Sequence, residues 1–270
     1  MIMDYKKITS LSNPRIKEAL AVGKRLTKQK PNTFLVEGAH LIEISVTSGA
    51  GIEEVFFTKT FSSKKEGEKI LGLLGEKVTK VFEVTDRIMN KLAETETPQG
   101  IVAVVKYPSF TLIDLSFGYQ PLLVVIEGIQ DPGNLGTIIR TADAAGADAV
   151  IMLPGTCSAF MPKTVRATAG SVLNIPVVHA ERDALLKWLK ALGIPLVITS
   201  PDADKSVFDA DLRQSVAFVF GNEAHGISET LKKTADLALR IPIYGKAESL
   251  NVAVSAAICI YETARQRRLK

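Results

Sequence analysis

Three short segments of this 270-residue chain hold side chains that could act on a ligand together. The first is DPGNLGTIIR, residues 131–140. Its Pro-Gly pair predicts a turn, and Asn134 suits the N-cap of the helix that follows. On that helix Leu135, Ile138, Ile139 and Ala142 form an inward stripe, and Arg140 falls on the polar face with Thr137. The second is FVFGNEAHG, residues 218–226, where an apolar run stops at Gly-Asn-Glu. Glycine there lets backbone approach a ligand closely, and Glu223 offers a carboxylate that can bind a hydroxyl or a cation. His225 has no nearby partner and reads as a loop residue. The third is IPIYGKAESLNVAVS, residues 241–255. A strand end runs through a polar loop into an apolar helix, with Ser249 as candidate N-cap and free N–H groups behind it. Taken singly, these are a cap with a solvated arginine, a loop, and a buried helix start.

The elements that position them alternate in type. From residue 121 onward, apolar runs of strand length recur at Leu122–Ile126, Ala149–Leu153, Pro195–Thr199, Val216–Phe220 and Leu237–Ile241. Helical stretches separate most of them. Strands apolar almost throughout predict a parallel sheet covered on both faces. Polar and glycine-rich segments follow the strand ends, so five loops are expected at the ligand-binding carboxyl edge of the sheet.

The N-terminal half reads as a smaller α/β unit over residues 33–106. Strands are expected at Thr33–Glu37, Glu54–Thr58, Lys80–Val84 and Gly100–Lys106, with helices at Ala39–Ser48 and Lys64–Leu74. Residues 107–120 read as a linker, residues 1–32 as a basic helical extension, and residues 121–270 as the second domain.

Composition narrows the partners. Residues 1–32 carry eight basic side chains against Asp4 and Glu18, a net +6 in a chain whose total is +4. Arg265, Arg267, Arg268 and Lys270 form a second basic cluster. Basic ends on a near-neutral body suit a polyanion, although they also suit plain solvation. Cys157 and Cys259 make no CxxC pair, and His40, His179 and His225 have no metal-ligand spacing, so no metal is expected. No apolar run approaches the ~18 residues of a membrane span. The start MIMDYKK lacks a secretory h-region, and a reduced cytoplasmic setting is expected.

Read jointly, IEGIQDPGNLGTIIRTADAAGAD, FVFGNEAHGIS and IPIYGKAESLNVAVSAAICIYE resemble the motifs of the SpoU/TrmH family of RNA ribose 2′-O-methyltransferases, over about residues 121–266. FLVEGAHLIEIS and TETPQGIVAVV more loosely resemble the substrate-binding domain that precedes the catalytic domain in many members. The resemblance implies a parallel-sheet α/β catalytic domain of the SPOUT type with a deep trefoil knot, which general topology rules argue against. It implies S-adenosylmethionine as cofactor, RNA as substrate (ribosomal RNA first, transfer RNA as the alternative) and a homodimer formed through the C-terminal domain. By position it carries catalytic roles to Asn134, Arg140, Glu223, Ser249 and Asn251, and cofactor contacts to Thr199, Gly221, Asn222, Ile241, Ile243 and Leu250. Arg140 is the family's candidate for handling the hydroxyl proton. An arginine is a poor base, so it is expected to hold an RNA phosphate and orient the hydroxyl. Two competitors stand beside this reading. One is a non-catalytic RNA-binding protein of the same fold. The other is a nucleotide-dependent oxidoreductase, which the missing GxGxxG disfavours.

Overall fold

The computed structural model describes residues 5–24, 33–75, 78 and 80–268. Two compact units emerge. The first holds the described residues up to Ser109 together with Phe160–Leu173, and the second holds Phe110–Ala159 and everything described from Asn174 onward.

In the first unit the elements run β1 (Lys6–Ile8), α1 (Pro14–Gly23), β2 (Thr33–Glu37), α2 (Ala39–Thr47), β3 (Gly51–Thr58), α3 (Lys59–Ser62), α4 (Lys65–Gly75), β4 (Val81–Val84), α5 (Asp86–Leu92) and β5 (Ile101–Lys106). The sheet order is β1-β4-β3-β5-β2, with β5 antiparallel to both neighbours. The basic N-terminal segment is not a simple extension. Its helix α1 is capped by Asn13, whose Oδ1 accepts from Arg15 N, and it buries Ile16, Ala19 and Val22. These pack with Ile8, Phe82, Ile88 and Leu92. The Arg15 guanidinium meets the carboxylate of Glu54, itself 3% exposed, at 2.8 Å and lies over the Phe82 ring. Lys6, Lys17 and Lys24 remain exposed, as does Lys7 beside Glu83; Arg25, Lys28 and Lys30 lie outside the described residues.

The second unit runs β6 (Leu122–Ile126), α6 (Pro132–Ala145), β7 (Ala149–Met152), then α7 (Pro162–Thr168, which belongs to the first unit), β8 (Val177–His179), α8 (Arg182–Leu192), β9 (Leu196–Thr199), β10 (Lys205–Ser206), β11 (Val216–Phe220), α9 (Glu229–Thr234), β12 (Leu237–Arg240) and α10 (Val252–Arg268). Seven parallel strands lie in the order β10-β12-β9-β11-β6-β7-β8. The five apolar runs form β6, β7, β9, β11 and β12, and β8 and β10 are short additions at the edges. Leu123, Val125, Ala217 and Val219 face a core shared with Leu185 and Leu189 of α8 and Leu231 of α9. Strand alternation sends Val124 and Phe218 to the other side, where α6 and α10 pack against each other and α10 touches β11.

Two boundaries differ from expectation. The segment read as a linker is not free of the second unit, since the half-buried Phe110, Leu112, Leu115 and Phe117 pack against its core. Conversely, residues 160–173 leave the run of the second domain and join the first unit. The Phe160 ring stacks on Tyr107 with centroids 3.5 Å apart and also meets Phe34. An aromatic residue's destination depends on which distant ring it meets, and local pattern does not carry that.

The basic cluster near residue 267 is partly structural. Arg267 donates to the carbonyls of Gln120, Pro121, Leu212 and Gln214, and Arg265 pairs with Glu262. These bonds tie α10 to the segments that open β6 and β11. Among the described residues, no helix is long and apolar enough to cross a membrane.

Candidate active site

The site starts with two corrections to the helix caps. The α6 cap is Asp131, whose Oδ1 accepts from Asn134 N at 2.8 Å, with Pro132 in the first turn. Asn134 therefore sits inside that turn with its side-chain amide unspent. At α10 the cap is Asn251 in place of Ser249, because Asn251 Oδ1 accepts from Ala253 N at 2.9 Å and Val254 N at 3.3 Å. Asn, Ser and Asp all serve as caps, so residue type alone did not choose between them.

These caps orient a chain of side-chain hydrogen bonds. With its oxygen committed to the helix, Asn251 turns Nδ2 to Asn134 Oδ1 at 3.0 Å. Asn134 in turn donates Nδ2 to Glu223 Oε1 at 2.7 Å. An amide has one donor end and one acceptor end, so the α10 N-terminus sets the sense of the whole chain. It ends on a carboxylate. Residues 117 and 89 positions apart in sequence are joined in this way, and the three motifs meet in one place.

The loops beneath are fastened together. Glu127 N donates to Phe220 O, Asn222 Nδ2 to Gly128 O at 2.8 Å, Gly128 N to Thr156 Oγ1 at 2.9 Å and Cys157 N to Ile129 O. Asn222 Oδ1 accepts from Ala224 N and His225 N, closing a small hairpin around Glu223. At Gly221 a Cβ would come within 2.4 Å of the Gly226 backbone, so this glycine serves the hairpin's tightness. His225 remains an exposed loop residue. Burial pushes the Cys157 thiol above its ordinary pKa, and the charges of Asp131 and Glu223 add to the effect.

A cleft opens beside this chain. It is lined by Thr199, Ser200, Pro201, Ile241, Ile243, Glu248, Ser249, Leu250 and Ser255, and its empty space is about 460 Å³ with the open mouth included. Four of the six expected cofactor residues line it: Thr199, Ile241, Ile243 and Leu250. Gly221 and Asn222 do not. Ser249 lines the cleft but takes no part in the amide chain. Ser200, Pro201, Glu248 and Ser255 were not anticipated, although each lies within four residues of one that was.

Arg140 is exposed on α6, six residues past Asn134, and its side chain makes no hydrogen bond or ion pair among the described residues. The structure does not draw it into the amide chain; its guanidinium is open to a ligand or a second chain.

Known proteins resemble this chain in both sequence and backbone. Residues 121–261 match the profile of the SpoU rRNA Methylase family, and residues 13–103 match the MRM3-like substrate binding domain. The chain is 37% identical over 256 residues to the 23S rRNA (guanosine(2553)-2′-O)-methyltransferase RlmP of Bacillus subtilis, spanning 95% of this chain and 98% of the relative. Its backbone is similar to that of an AdoMet-bound rRNA methyltransferase from Sinorhizobium meliloti, with a TM-score of 0.87, 31% identity and coverage of 98% and 99% of the two chains. It is also similar to the SpoU methyltransferase AviRb from Streptomyces viridochromogenes in complex with AdoMet, at a TM-score of 0.83 and 30% identity, covering 94% and 98%.

Proposed function

This chain belongs to the SpoU rRNA Methylase family, and from that premise we propose that it transfers a methyl group from S-adenosylmethionine to a ribose 2′-hydroxyl of 23S ribosomal RNA. The observation that carries the reading is the chain Asn251–Asn134–Glu223 beside the cleft at residues 199–201 and 241–255.

The cleft fits the cofactor's chemistry. Ile241, Ile243 and Leu250 offer apolar surface for a planar base, and Thr199, Ser200, Ser249 and Ser255 offer hydroxyl and backbone groups for its polar parts. When bound, the cofactor supplies a methyl group already activated on a sulfonium. The protein's own task is then alignment of the hydroxyl and care of its proton. Glu223 holds Asn134 with Oε1, and Oε2 makes no hydrogen bond among the described residues. That oxygen is left to help position the ribose. Arg140 holds the neighbouring phosphate, as its planar fork and fixed charge suit it to do. A phosphate oxygen or a transiently neutral Arg140 guanidine then accepts the proton.

The same reading includes the expected trefoil knot, a cytoplasmic setting and a homodimer through the second unit. Support for the dimer is the face of α10, where Val254 and Tyr261 are 47% and 52% exposed. Those two positions are seven residues, or two helical turns, apart. The RNA substrate is supported by the exposed lysines of the first unit and by the names of the relatives.

The test is mass mapping of 2′-O-methyl groups in 23S ribosomal RNA from cells with and without this protein, followed by restoration in vitro with purified protein. Loss of one ribose methyl and its return is the expected outcome. An unchanged 23S map with a lost methyl in transfer RNA would move the substrate to that alternative.

A further inference from the structure

Glu127 is a carboxylate where an apolar strand would suffice. It follows β6 directly and is 6% exposed. Both of its oxygens are occupied. Oε1 accepts from Arg182 Nε at 2.9 Å and Nη2 at 2.6 Å, and Oε2 accepts from Ser228 N at 2.6 Å. Arg182 opens α8, and Ser228 caps α9. A buried charge needs its partners, and here all are present.

The placement of these bonds matters more than their number. The hairpin that presents Glu223 runs from Gly221 to Gly226, closed by reciprocal bonds between Asn222 and Gly226. It is fastened to the β6 end on both sides of Glu223. On one side Asn222 Nδ2 donates to Gly128 O, and on the other Ser228 N donates to Glu127 Oε2. The β6 end also leads, through Asp131, to Asn134. One residue pair, Glu127 with Arg182, thus lies where the loop carrying Glu223 meets the loop leading to Asn134.

Resting on the methyl-transfer reading above, we infer that Glu127, held by Arg182, is a positioning residue that keeps Glu223 within reach of Asn134. It touches neither substrate nor cofactor. It acts by fixing the second anchor of the hairpin, and no residue of the cleft at 199–201 and 241–255 takes part. Loss of the anchor leaves the hairpin fastened at one end, so Glu223 samples positions away from Asn134 while the cleft keeps its shape.

The experiment uses the full-length protein, S-adenosylmethionine and transcribed 23S ribosomal RNA in single-turnover assays. Glu127→Gln keeps the size of the side chain but turns one acceptor into a donor facing a donor. Ser228→Pro replaces the N–H by the ring Cδ, which takes the place of the donated hydrogen and turns Glu127 Oε2 away: Ser228 has φ −64°, which proline adopts, and its buried hydroxyl has no partner to lose. Each variant is assayed well below its own melting midpoint, with cofactor affinity measured by calorimetry. The expected result is a saturating rate at least tenfold lower in both, with cofactor Kd and half-saturating RNA concentration within twofold of wild type. If Glu127→Gln does not fold, Ser228→Pro decides by the same criteria. A full saturating rate in the folded variants overturns the inference, and so does a cofactor affinity that falls in step with the rate. An inactive wild-type protein would instead overturn the functional reading itself, which separates the two failures.

Discussion

Asn134 donates its side-chain amide to Glu223 across 89 residues of sequence, at 2.7 Å, and it can do so because Asp131 relieves it of capping α6. The bond joins the first helix of the catalytic unit to the hairpin after β11. It also commits one carboxylate oxygen and leaves the other without a hydrogen bond among the described residues.

Asn134→Ala removes the centre of the amide chain and leaves Glu223 and Asn251 facing a gap. The cap at Asp131 is untouched, so the melting midpoint should stay within a few degrees. The methyl-transfer rate should fall at least a hundredfold, the scale of losing a hydrogen bond that orients a reacting group. Rate and midpoint measured on the same preparation check this.

Arg140→Ala should abolish transfer while cofactor affinity, read by calorimetry, stays within twofold, because Arg140 lies outside the cleft. Arg140→Lys keeps the charge and loses the planar fork. A large loss with lysine assigns the role to geometry, whereas near-full activity would assign it to charge alone.

RNA binding should depend on the exposed lysines of the first unit. Deleting residues 1–32 is a poor test, since β1 and α1 supply Ile8, Ile16, Ala19 and Val22 to the core. Replacing Lys6, Lys17 and Lys24 by Gln keeps the fold. If all three meet phosphates, the slope of log affinity against log salt should shrink by roughly 2 to 3, from ~0.7 to 0.9 per contact. An unchanged slope would return these charges to solvation.

Stability should fall at high pH through Cys259. Burial pushes its thiol from 9.0 up to about 12. A raised folded-state value means the stabilising preference is whole below the unfolded value and is lost as pH rises towards the folded one. Between pH 9 and about 12, unfolding free energy should drop by up to ~1.4 kcal/mol per pH unit from this group. Cys259→Ala should flatten that slope in urea titrations at stepped pH, after allowance for the other groups that titrate there.

If the proposed homodimer forms through the α10 face, Tyr261→Asp should convert it to monomer in sedimentation velocity at micromolar concentration, and a wild-type monomer would overturn that part of the proposal. It places a charge on the exposed α10 face, and the buried residues Ala256, Cys259 and Ile260 keep the helix docked.

Much of this molecule was legible in its sequence. Apolar runs gave the five central strands of the larger sheet, because buried parallel strands carry their burial in every residue. The edge strands β1, β8 and β10 were missed. They are two or three residues long, and Lys6, Lys7, His179 and Lys205 in them are exposed. The loops bearing Asn134, Glu223 and Asn251 were found as motifs, but which asparagine caps and which one bonds across the site is decided by geometry. Glu127 stood in a quoted motif and attracted no role. Its partners lie 55 and 101 residues away, and nothing in the local pattern points to them.

The anchoring of Arg267 has a consequence for biosynthesis. Its guanidinium grips carbonyls at Gln120 and Gln214, up to 147 residues earlier, and α10 packs on α6. Such distant closures are slow and come late. A nascent chain translated only through β12 would hold Glu223 and Asn134 but lack Asn251, whose capping of α10 sets the sense of their hydrogen bonds. On the roles proposed for these residues, catalytic competence waits for the last helix to dock, and an unfinished or truncated copy would be present in the cell without modifying RNA.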